Sequence, residues 1–498
     1  MVSENLLPKG TGLTRDSNKT EMLPMPTIAI RNKKYVSILV LLLAEILLGL
    51  LLLITPAAFP FLVLMMVGIV PLSLIRPDWI YYLIILSFSI GGITLFAHHL
   101  PGVPGQKTLN PHHLLILLCF VGSAMLILRH HRRLERTPLD LPIVLLFLWA
   151  LTGTFWAPSF KASLLQVFRF FVALILYFTS FQLFTDRDKV RRLIRLWFFV
   201  GLINMLLAFS FPHGLHSDWY VGATAESRQA PEGMIKRHEG LSSHPNTCAM
   251  LAGIPIVLGC GLFFTSRSTK KKLFYILSII GMIGVLILSF SKGWIIGVCL
   301  GMLVFFYKAK KLKAVWIMVL CALFVGSVLI FSQDVRTTLL QRFFRTPEAS
   351  EVSAQKFGEV VEMRAVLWRA GLRFFAESYL VGMGLGGFAA RVGEVLPTRE
   401  SQQPHSLVLT VLFELGAIGM LLFVWAVMAL ITEIVKYRKQ MTGYPMQPLF
   451  LGWLAGLVAM GVNIFVRQTL GSTALWSFLA LGLLIMKFER PHEQETLP

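Results

Sequence analysis

Charged residues are scarce in this chain. Only 14% of its 498 residues are Asp, Glu, Lys or Arg, whereas 55% are apolar, and the mean hydropathy is +0.70. A water-soluble protein needs far more polar surface, so the soluble classes are excluded. Long apolar runs predict instead an all-α polytopic membrane protein.

Cysteine is also rare, and no metal-binding pattern is present. All five cysteines lie in or beside apolar runs, which is typical of small core residues. No Cys and His residues show the spacing of a zinc site. We therefore predict neither a metal nor another cofactor.

Acidic residues are fewer than basic ones, 26 against 46, which gives a net charge of +20. In a soluble chain this excess would suggest nucleic acid as a partner. Here the basic residues fall in short loops between apolar runs, as in the cytoplasmic loops of membrane proteins. We predict that the charge orients the chain in the lipid bilayer and that no nucleic acid binds.

The apolar runs predict 12–14 transmembrane helices. Residues 1–34 are polar, without a cleavable signal peptide, and should form a cytoplasmic tail. The spans should fill 35–333 and 405–487, followed by a second cytoplasmic tail at 488–498. The runs lie at roughly 35–54, 57–75, 79–97, 112–128, 141–158, 163–184, 193–212, 247–266, 272–290, 293–307, 314–333, 405–431, 447–466 and 470–487.

Two long connections should face the outside. With the N-terminus in the cytoplasm, every strongly basic short loop falls on the inner side. The same alternation places 213–246 and 334–404 outside, and both mix acids, bases and histidines. A functional site is therefore expected at the outer face.

The first outer loop ends in Arg237-His-Glu-Gly-Leu-Ser-Ser-His-Pro-Asn246, directly before a membrane helix. Pro245 and Asn246 are typical of a helix start. An arginine beside free backbone N–H groups can bind an anion. Contact of Arg237 with lipid headgroups is an equally good interpretation of this motif alone.

The second outer loop should contain an amphipathic helix over 360–377. Its predicted wet face holds Glu362, Arg369, Arg373 and Glu377, and solvation is enough to explain them. Its predicted apolar face holds Val360, Leu367, Trp368, Gly371 and Phe375. Arg364 lies in the middle of that apolar face. Because an unpaired buried charge is costly, we expect a carboxylate or phosphate partner for Arg364, with snorkelling to the headgroups as the alternative.

Gly382-Met-Gly-Leu-Gly-Gly387 follows this helix and matches G-x-G-x-x-G. A dinucleotide site requires a preceding strand, and here a helix precedes the glycines. We reject a nucleotide site. Glycines such as Gly382 and Gly384 should instead allow close backbone approach to the membrane domain or to a ligand.

Pro404-His405 opens the twelfth predicted membrane helix. A histidine at the outer surface is suited to general-base catalysis, although a lone histidine at a helix end is more often structural. Glu414 is nine residues on and about 13 Å deeper, so it should serve helix packing with Gly416 and Gly419 rather than orient His405.

Arg169 stands inside the sixth predicted span, in its outer half. Charged residues within spans usually face a cavity or a partner. Arg169 is therefore a further candidate for ligand binding.

Taken together, these residues resemble the O-antigen ligase and polymerase family of bacterial membrane glycosyltransferases. The resemblance covers about 230–420. One departure is Ser406, where the family usually has Asn after the loop histidine; the other is a helix count above the usual dozen. The matching pieces are Arg237-x-x-Gly240 with His244-Pro-Asn246, Ser289-Phe-Ser-Lys-Gly293, Arg364-x-x-x-Trp368, Gly382-x-Gly384, and His405 with Glu414-x-Gly416-x-x-Gly419.

The resemblance implies a glycan donor on a polyprenyl diphosphate and an acceptor that is a glycan, a lipid or a protein. It implies a multi-pass protein of the bacterial inner membrane, with the active site outside and both termini cytoplasmic. The roles expected from it are His405 as the base, Arg237 and Arg364 on the diphosphate, and Arg169 in donor binding. His244, Asn246, Gly382, Gly384 and Glu414 would support the site.

A transporter of an anion such as bicarbonate is the alternative. It predicts discontinuous helices and charges near the middle of the bilayer. The candidate charges of this chain cluster instead at the outer face, which favours the enzyme.

Overall fold

Apolar helices form most of the molecule, because a backbone in hydrocarbon must satisfy its own hydrogen bonds. The computed structural model describes residues 68–90, 111–131, 133–211, 238–242, 244–310, 365–395, 403–441, 447–464 and 470–489. Its helices are α1 Val70–Ile75, α2 Pro77–Ser87, α3 Pro111–His130, α4 Asp140–Thr152, α5 Phe160–Leu183, α6 Arg187–Ser210, α7 Pro245–Thr265, α8 Thr269–Leu288, α9 Lys292–Lys308, α10 365–377, α11 Gly387–Arg391, α12 Leu407–Gln440, α13 Pro448–Ile464 and α14 Thr473–Phe488.

Apart from α10 and α11, which lie in the predicted loop 334–404, these helices overlap the predicted apolar runs. Six are long and apolar enough to cross a membrane, and four shorter apolar stretches accompany them. The described ranges contain no strand. The prediction of an all-α polytopic membrane protein is confirmed, while the runs at 35–54 and 314–333 fall outside the described residues. The total of 12–14 spans and the domain boundaries therefore remain predictions.

Polar residues cap the starts of five of the described helices, because the apolar side chains of the helices themselves cannot accept a hydrogen bond from the first turn. Each accepts a hydrogen bond from a backbone N–H of the first turn, which would otherwise have no acceptor. The capping residues are Ser159 for α5, Asp186 for α6, His244 for α7, Ser406 for α12 and Ser472 for α14.

Helix α7 is the central element. It is apolar on every side, and Cys248 through Leu262 are buried along its whole length. It packs against α6, α8 and α13, and α9 packs in turn on α13. A helix that is hydrophobic all round has no solvent-facing stripe, so it belongs inside the bundle.

Helix α12 is interrupted at Gly416, whose φ of 69° is not helical. Gly416 is the tenth residue of the helix, counting Leu407 as the first. The break divides α12 into an outer half, 407–415, and an inner half, 417–440. The inner half packs on α4 and presents Leu421 and Met428 outward, as a lipid-facing helix does.

Glu489 fastens the opposite end of the bundle. Its buried carboxylate accepts hydrogen bonds from Arg187 at 2.6 Å and Arg191 at 2.8 Å, and its backbone carbonyl accepts one from the Tyr437 hydroxyl. Burial raises the pKa of this carboxyl, but the two arginines outweigh burial and hold the pKa below its ordinary value. The contact joins α6, α12 and α14 at the end where the predicted inner-side basic residues lie.

Candidate functional site

The described candidate residues lie at one end of the bundle, which we call the site end. Helices α5, α7, α9, α12 and α14 begin there, and α4, α6, α8 and α13 end there. Three contacts between connecting segments and helix ends establish this grouping. Gly240, before α7, packs on Ala208 at the end of α6, and the His238 N–H donates to the Leu288 carbonyl at the end of α8. Gly471, before α14, packs on Arg169 of α5.

The start of α7 is connected to α9 through side chains. His244 caps α7, its Nδ1 accepting from the Asn246 backbone N–H at 3.0 Å. The Asn246 side chain accepts a hydrogen bond from Ser291 at 2.9 Å. On the far side, the Asn463 amide of α13 donates to the Gly293 carbonyl. Two of the sequence motifs, His244-Pro-Asn246 and Ser289-Phe-Ser-Lys-Gly293, therefore meet at the site end.

His405 lies just outside its helix rather than within it. The sequence-based prediction began the helix at Pro404-His405, whereas α12 begins at Leu407 with Ser406 as its cap. His405 is half-buried and adopts a φ of 55°, a left-handed conformation that non-glycine residues seldom take. The hydroxyl of Ser406 accepts from the Leu409 N–H. Ser and Asn are both strong helix caps, so Ser406 can replace the asparagine usual at this position.

A small second core lies against one side of the outer half of α12, whose Leu407, Val411 and Leu415 belong to the bundle core. We call residues 365–395 the cap; it contains α10, the glycine segment, α11 and the 3₁₀ turn Val392–Glu394. Cap and half-helix share a hydrophobic cluster that is separate from the bundle core. Its buried members are Leu367, Ala370, Phe374, Met383, Phe388, Val392 and Phe413.

The phase of α10 confirms most of the predicted amphipathic pattern. Arg369, Arg373 and Glu377 are exposed as expected, and Leu367 is buried. Trp368 departs from the prediction, since 40% of it is exposed. The reason is a hydrogen bond of 3.1 Å from its indole N–H to the Pro404 carbonyl, which holds the ring at the edge of the apolar face.

A salt-bridge group fixes α11 against α10. Arg391 pairs with Glu377 at 2.8 Å and with Glu394 at 3.1 Å, and its guanidinium lies 4.2 Å from the centre of the Phe374 ring. The hydrogen bond from Arg391 lowers the pKa of Glu394. The cap is thus held by charge on its wet side and by the apolar cluster beneath.

The glycine segment brings the cap backbone against the membrane helices. Gly382, Gly384 and Gly386 have φ angles of 70°, 79° and 83°. A Cβ on Gly384 would lie 2.5 Å from the Gly153 carbonyl oxygen at the end of α4. Glycine is therefore required by both conformation and space, and the prediction of close approach to the membrane domain is confirmed.

The break in α12 is closed by this same segment. Ala417 N–H donates to the Tyr379 carbonyl at 2.8 Å, and Met383 N–H donates to the Phe413 carbonyl at 3.3 Å. Two indoles complete the pairing. Trp149 donates to the Leu415 carbonyl at 2.8 Å, and Trp156 donates to the Gly382 carbonyl at 3.1 Å. The backbone groups released by the break thus have protein partners, as irregular backbone at membrane depth requires.

Glu414 binds the cap rather than a neighbouring helix. Its carboxylate accepts from the Gly386 N–H at 2.7 Å and the Phe388 N–H at 3.3 Å, and the side chain is almost fully buried. Helix packing was expected for Glu414 from the sequence. That expectation missed these partners because both are backbone groups, 28 and 26 residues away along the chain. Glu414 instead fixes the cap to the outer half of α12.

Arg169 is the tenth residue of α5, counting Phe160 as the first, and it is half-buried. A Cβ on Gly471 would lie 2.8 Å from the Arg169 Cβ, so the turn before α14 covers this part of α5. One turn earlier, Gln166 borders Gly386 of the cap. Arg169 and the cap therefore share one face of α5 at the site end.

Arg237, Glu362 and Arg364 lie outside the described residues, so their predicted roles remain predictions. Sequence reasoning missed Trp149 and Trp156 as hydrogen-bond donors to backbone carbonyls. Within the described residues, no group of three His, Cys, Asp or Glu side chains is placed to hold a metal ion.

Residues 277–424 match the family model described as O-antigen ligase. The chain carries an O-antigen ligase domain. The family recognised from the sequence is confirmed, and so is the prediction of an O-antigen ligase- or polymerase-like enzyme. No curated protein matches the chain.

The O-antigen ligase domain extends from the middle of α8 to the inner half of α12. It contains the Ser289–Gly293 motif, the cap, the break in α12 and Glu414. His405 is the only histidine in its sequence. Arg169, His244 and Asn246 precede the matched stretch. Asn246 meets it through Ser291, and Gln166, one turn from Arg169, meets it at Gly386.

Proposed function

We propose that this protein transfers a glycan from a polyprenyl-diphosphate carrier to an acceptor hydroxyl at the outer face of the bacterial inner membrane. The observation that carries the proposal is the position of His405, the only histidine of the O-antigen ligase domain. It stands half-buried at the site end, opposite the basic end that the charge pattern assigns to the cytoplasm.

In this proposal His405 is the general base. It takes the proton of the acceptor hydroxyl, whose oxygen forms a bond to the anomeric carbon. The bond from that carbon to the diphosphate oxygen breaks on the opposite face, and its electron pair leaves with the polyprenyl diphosphate. Inversion of the anomeric configuration follows from this geometry.

Arginine side chains are proposed to neutralise the leaving diphosphate without a metal. Arg237 and Arg364 are assigned to the diphosphate itself, and Arg169 of α5 to binding of the donor. Guanidinium groups suit this role because they are permanently charged and bind phosphate oxygens in pairs. The acceptor, a lipid-linked core or a growing glycan, distinguishes ligase from polymerase.

Anion transport is less well supported. It predicts discontinuous helices, and α12 is discontinuous at Gly416. However, backbone groups on both sides of this break pair with the backbone of 379–383 and with the Trp149 indole. Such a break connects the cap to the bundle.

The decisive test is transfer in vitro from a polyprenyl-diphosphate glycan with purified variants. His405→Ala should lower kcat about a hundredfold or more, because general-base catalysis contributes about 10²–10⁴-fold. Arg364→Ala should raise the donor KM. The matched control is His131→Ala, since His131 also has a positive φ but is exposed beyond the end of α3 at the opposite end. Full transfer activity of the folded His405→Ala variant would refute the assignment of His405 as the general base.

Topology offers an independent test. Arg373, at 77% side-chain exposure, should accept a membrane-impermeant thiol reagent from outside as Arg373→Cys, in a background without the native cysteines. His131→Cys should react only after permeabilisation. The reverse pattern would place the cap in the cytoplasm and exclude this donor, which the proposal presents at the outer leaflet.

A further inference from the structure

Trp368 reaches the residue directly before the proposed base. Its indole N–H donates to the Pro404 carbonyl at 3.1 Å, a contact between two segments separated by 36 residues. Trp368 belongs to α10, which the cap cluster holds through Leu367 and Phe374. The hydrogen bond therefore transmits the position of the cap to the peptide that carries His405.

The backbone at His405 needs such support. A φ of 55° costs a non-glycine residue free energy and persists where neighbouring contacts impose it. Both neighbours are anchored. Pro404 is buried, and its carbonyl accepts a hydrogen bond from Trp368. Ser406 is only 3% exposed, and its side chain caps α12. Two fixed points on either side of one residue define the backbone conformation from which its imidazole projects.

The outer half of α12, which begins beside His405, is itself in close contact with the cap. Gly416 separates it from the inner half, and its buried Phe413 packs in the cap cluster. A Cβ on Gly371 of α10 would overlap the Phe413 ring, so α10 and the half-helix touch closely. The half-helix thus lies between the cap and the bundle core, in which its Leu407, Val411 and Leu415 are buried.

We propose that Trp368 is a positioning residue, which holds the His405 peptide in its left-handed conformation and so aims the imidazole at the acceptor hydroxyl. This inference rests on the proposed function of His405. Trp368 acts through the Pro404 carbonyl and need not touch substrate. Its removal should therefore lower kcat and leave the donor KM unchanged.

The experiment compares Trp368→Phe, Trp425→Phe and His405→Ala in the same transfer assay, with kcat expressed per folded protein. Trp425 is the matched control because it is 44% exposed on the inner half of α12 and, among the described residues, has no hydrogen-bond partner. Trp368→Phe should lower kcat about tenfold to a hundredfold, since a misplacement of about 1 Å can cost a hundredfold. The donor KM should change less than about twofold, and Trp425→Phe should match the wild type.

The outcomes separate the two proposals. If His405→Ala is inactive and Trp368→Phe keeps the wild-type kcat, the positioning role is refuted and the base survives. A raised donor KM at constant kcat in Trp368→Phe would equally refute it, because the ring would then be a binding residue. If His405→Ala keeps full activity, the base assignment and this inference fail together.

Folding is controlled by a second substitution. Benzothienylalanine at position 368 keeps the two fused rings of Trp368 and lacks only the N–H donor. Should Trp368→Phe fail to fold, this variant should still show the loss of kcat. Wild-type kcat with benzothienylalanine would overturn the inference, since only the hydrogen bond to the Pro404 carbonyl has been removed.

Discussion

Replacing Glu414 by alanine should release the cap before it unfolds the bundle. The substitution removes the acceptor of the Gly386 and Phe388 N–H groups, which then remain buried without a partner. An orphaned buried donor costs about 1–3 kcal/mol, and the bond of 3.3 Å is the weaker one, so the pair is worth about 3 kcal/mol. The loss falls on the contact between cap and half-helix.

Hydrogen exchange read by mass spectrometry measures this directly. Amides of the glycine segment should exchange about a hundredfold faster in Glu414→Ala than in the wild type, because about 1.4 kcal/mol corresponds to a factor of ten. Amides of α7 should keep their protection. The control is Glu433→Ala on the same helix, which breaks a surface pair with Lys436 worth at most about 1 kcal/mol.

Unchanged exchange at Gly386 and Phe388 in Glu414→Ala would show that the carboxylate does not hold the cap. A uniform acceleration that includes α7 would contradict the separation of the two cores. Either result would refute the reasoning. Transfer activity should fall with the exchange protection, since Trp368 of the cap binds the Pro404 carbonyl directly before His405.

Three further outcomes are expected. Gly384→Ala should destabilise the cap by about 2 kcal/mol or more, because its φ is positive and its Cβ would overlap the Gly153 carbonyl oxygen; differential scanning calorimetry of the purified protein measures this. Trp149→Phe should cost about 1 kcal/mol by leaving the Leu415 carbonyl unpaired, measured by denaturant unfolding in micelles. Glu489→Gln should destabilise the protein above the ordinary carboxyl pKa of 4.5, and the difference from wild type should vanish as the pH falls through the lowered folded pKa. A difference that grows towards acid pH would reverse that sign.

The helices were predictable because each depends on a local property. Hydropathy over about twenty residues reports the length of a span without reference to its neighbours. The location of Arg169 and His405 at one end of the bundle, and the close approach of the glycines, followed from similar reasoning about what single residues tolerate. The α10 wet face likewise followed from helical period alone.

The connections between segments were not predictable in the same way. Glu414, Trp149 and Trp156 all bind backbone groups, and a backbone carbonyl or N–H leaves no mark in a sequence. The break at Gly416 lies inside an apolar run whose composition suits a continuous helix. Trp368 was assigned to the apolar face because periodicity describes a side chain's direction and not the reach of its indole.

The division of α12 has a consequence for how the chain enters the membrane. Residues 417–440 alone form 24 helical residues; 417–432 carry no charge, and the end of the helix holds Glu433, Lys436, Arg438 and Lys439. The uncharged part is about 24 Å long at about 1.5 Å per residue, and the long basic side chains after it can reach the headgroups. This portion can therefore be recognised and inserted as a span during synthesis. The nine residues before Gly416 can then pack against the cap afterwards, so membrane insertion of α12 and assembly of the site end become separate steps.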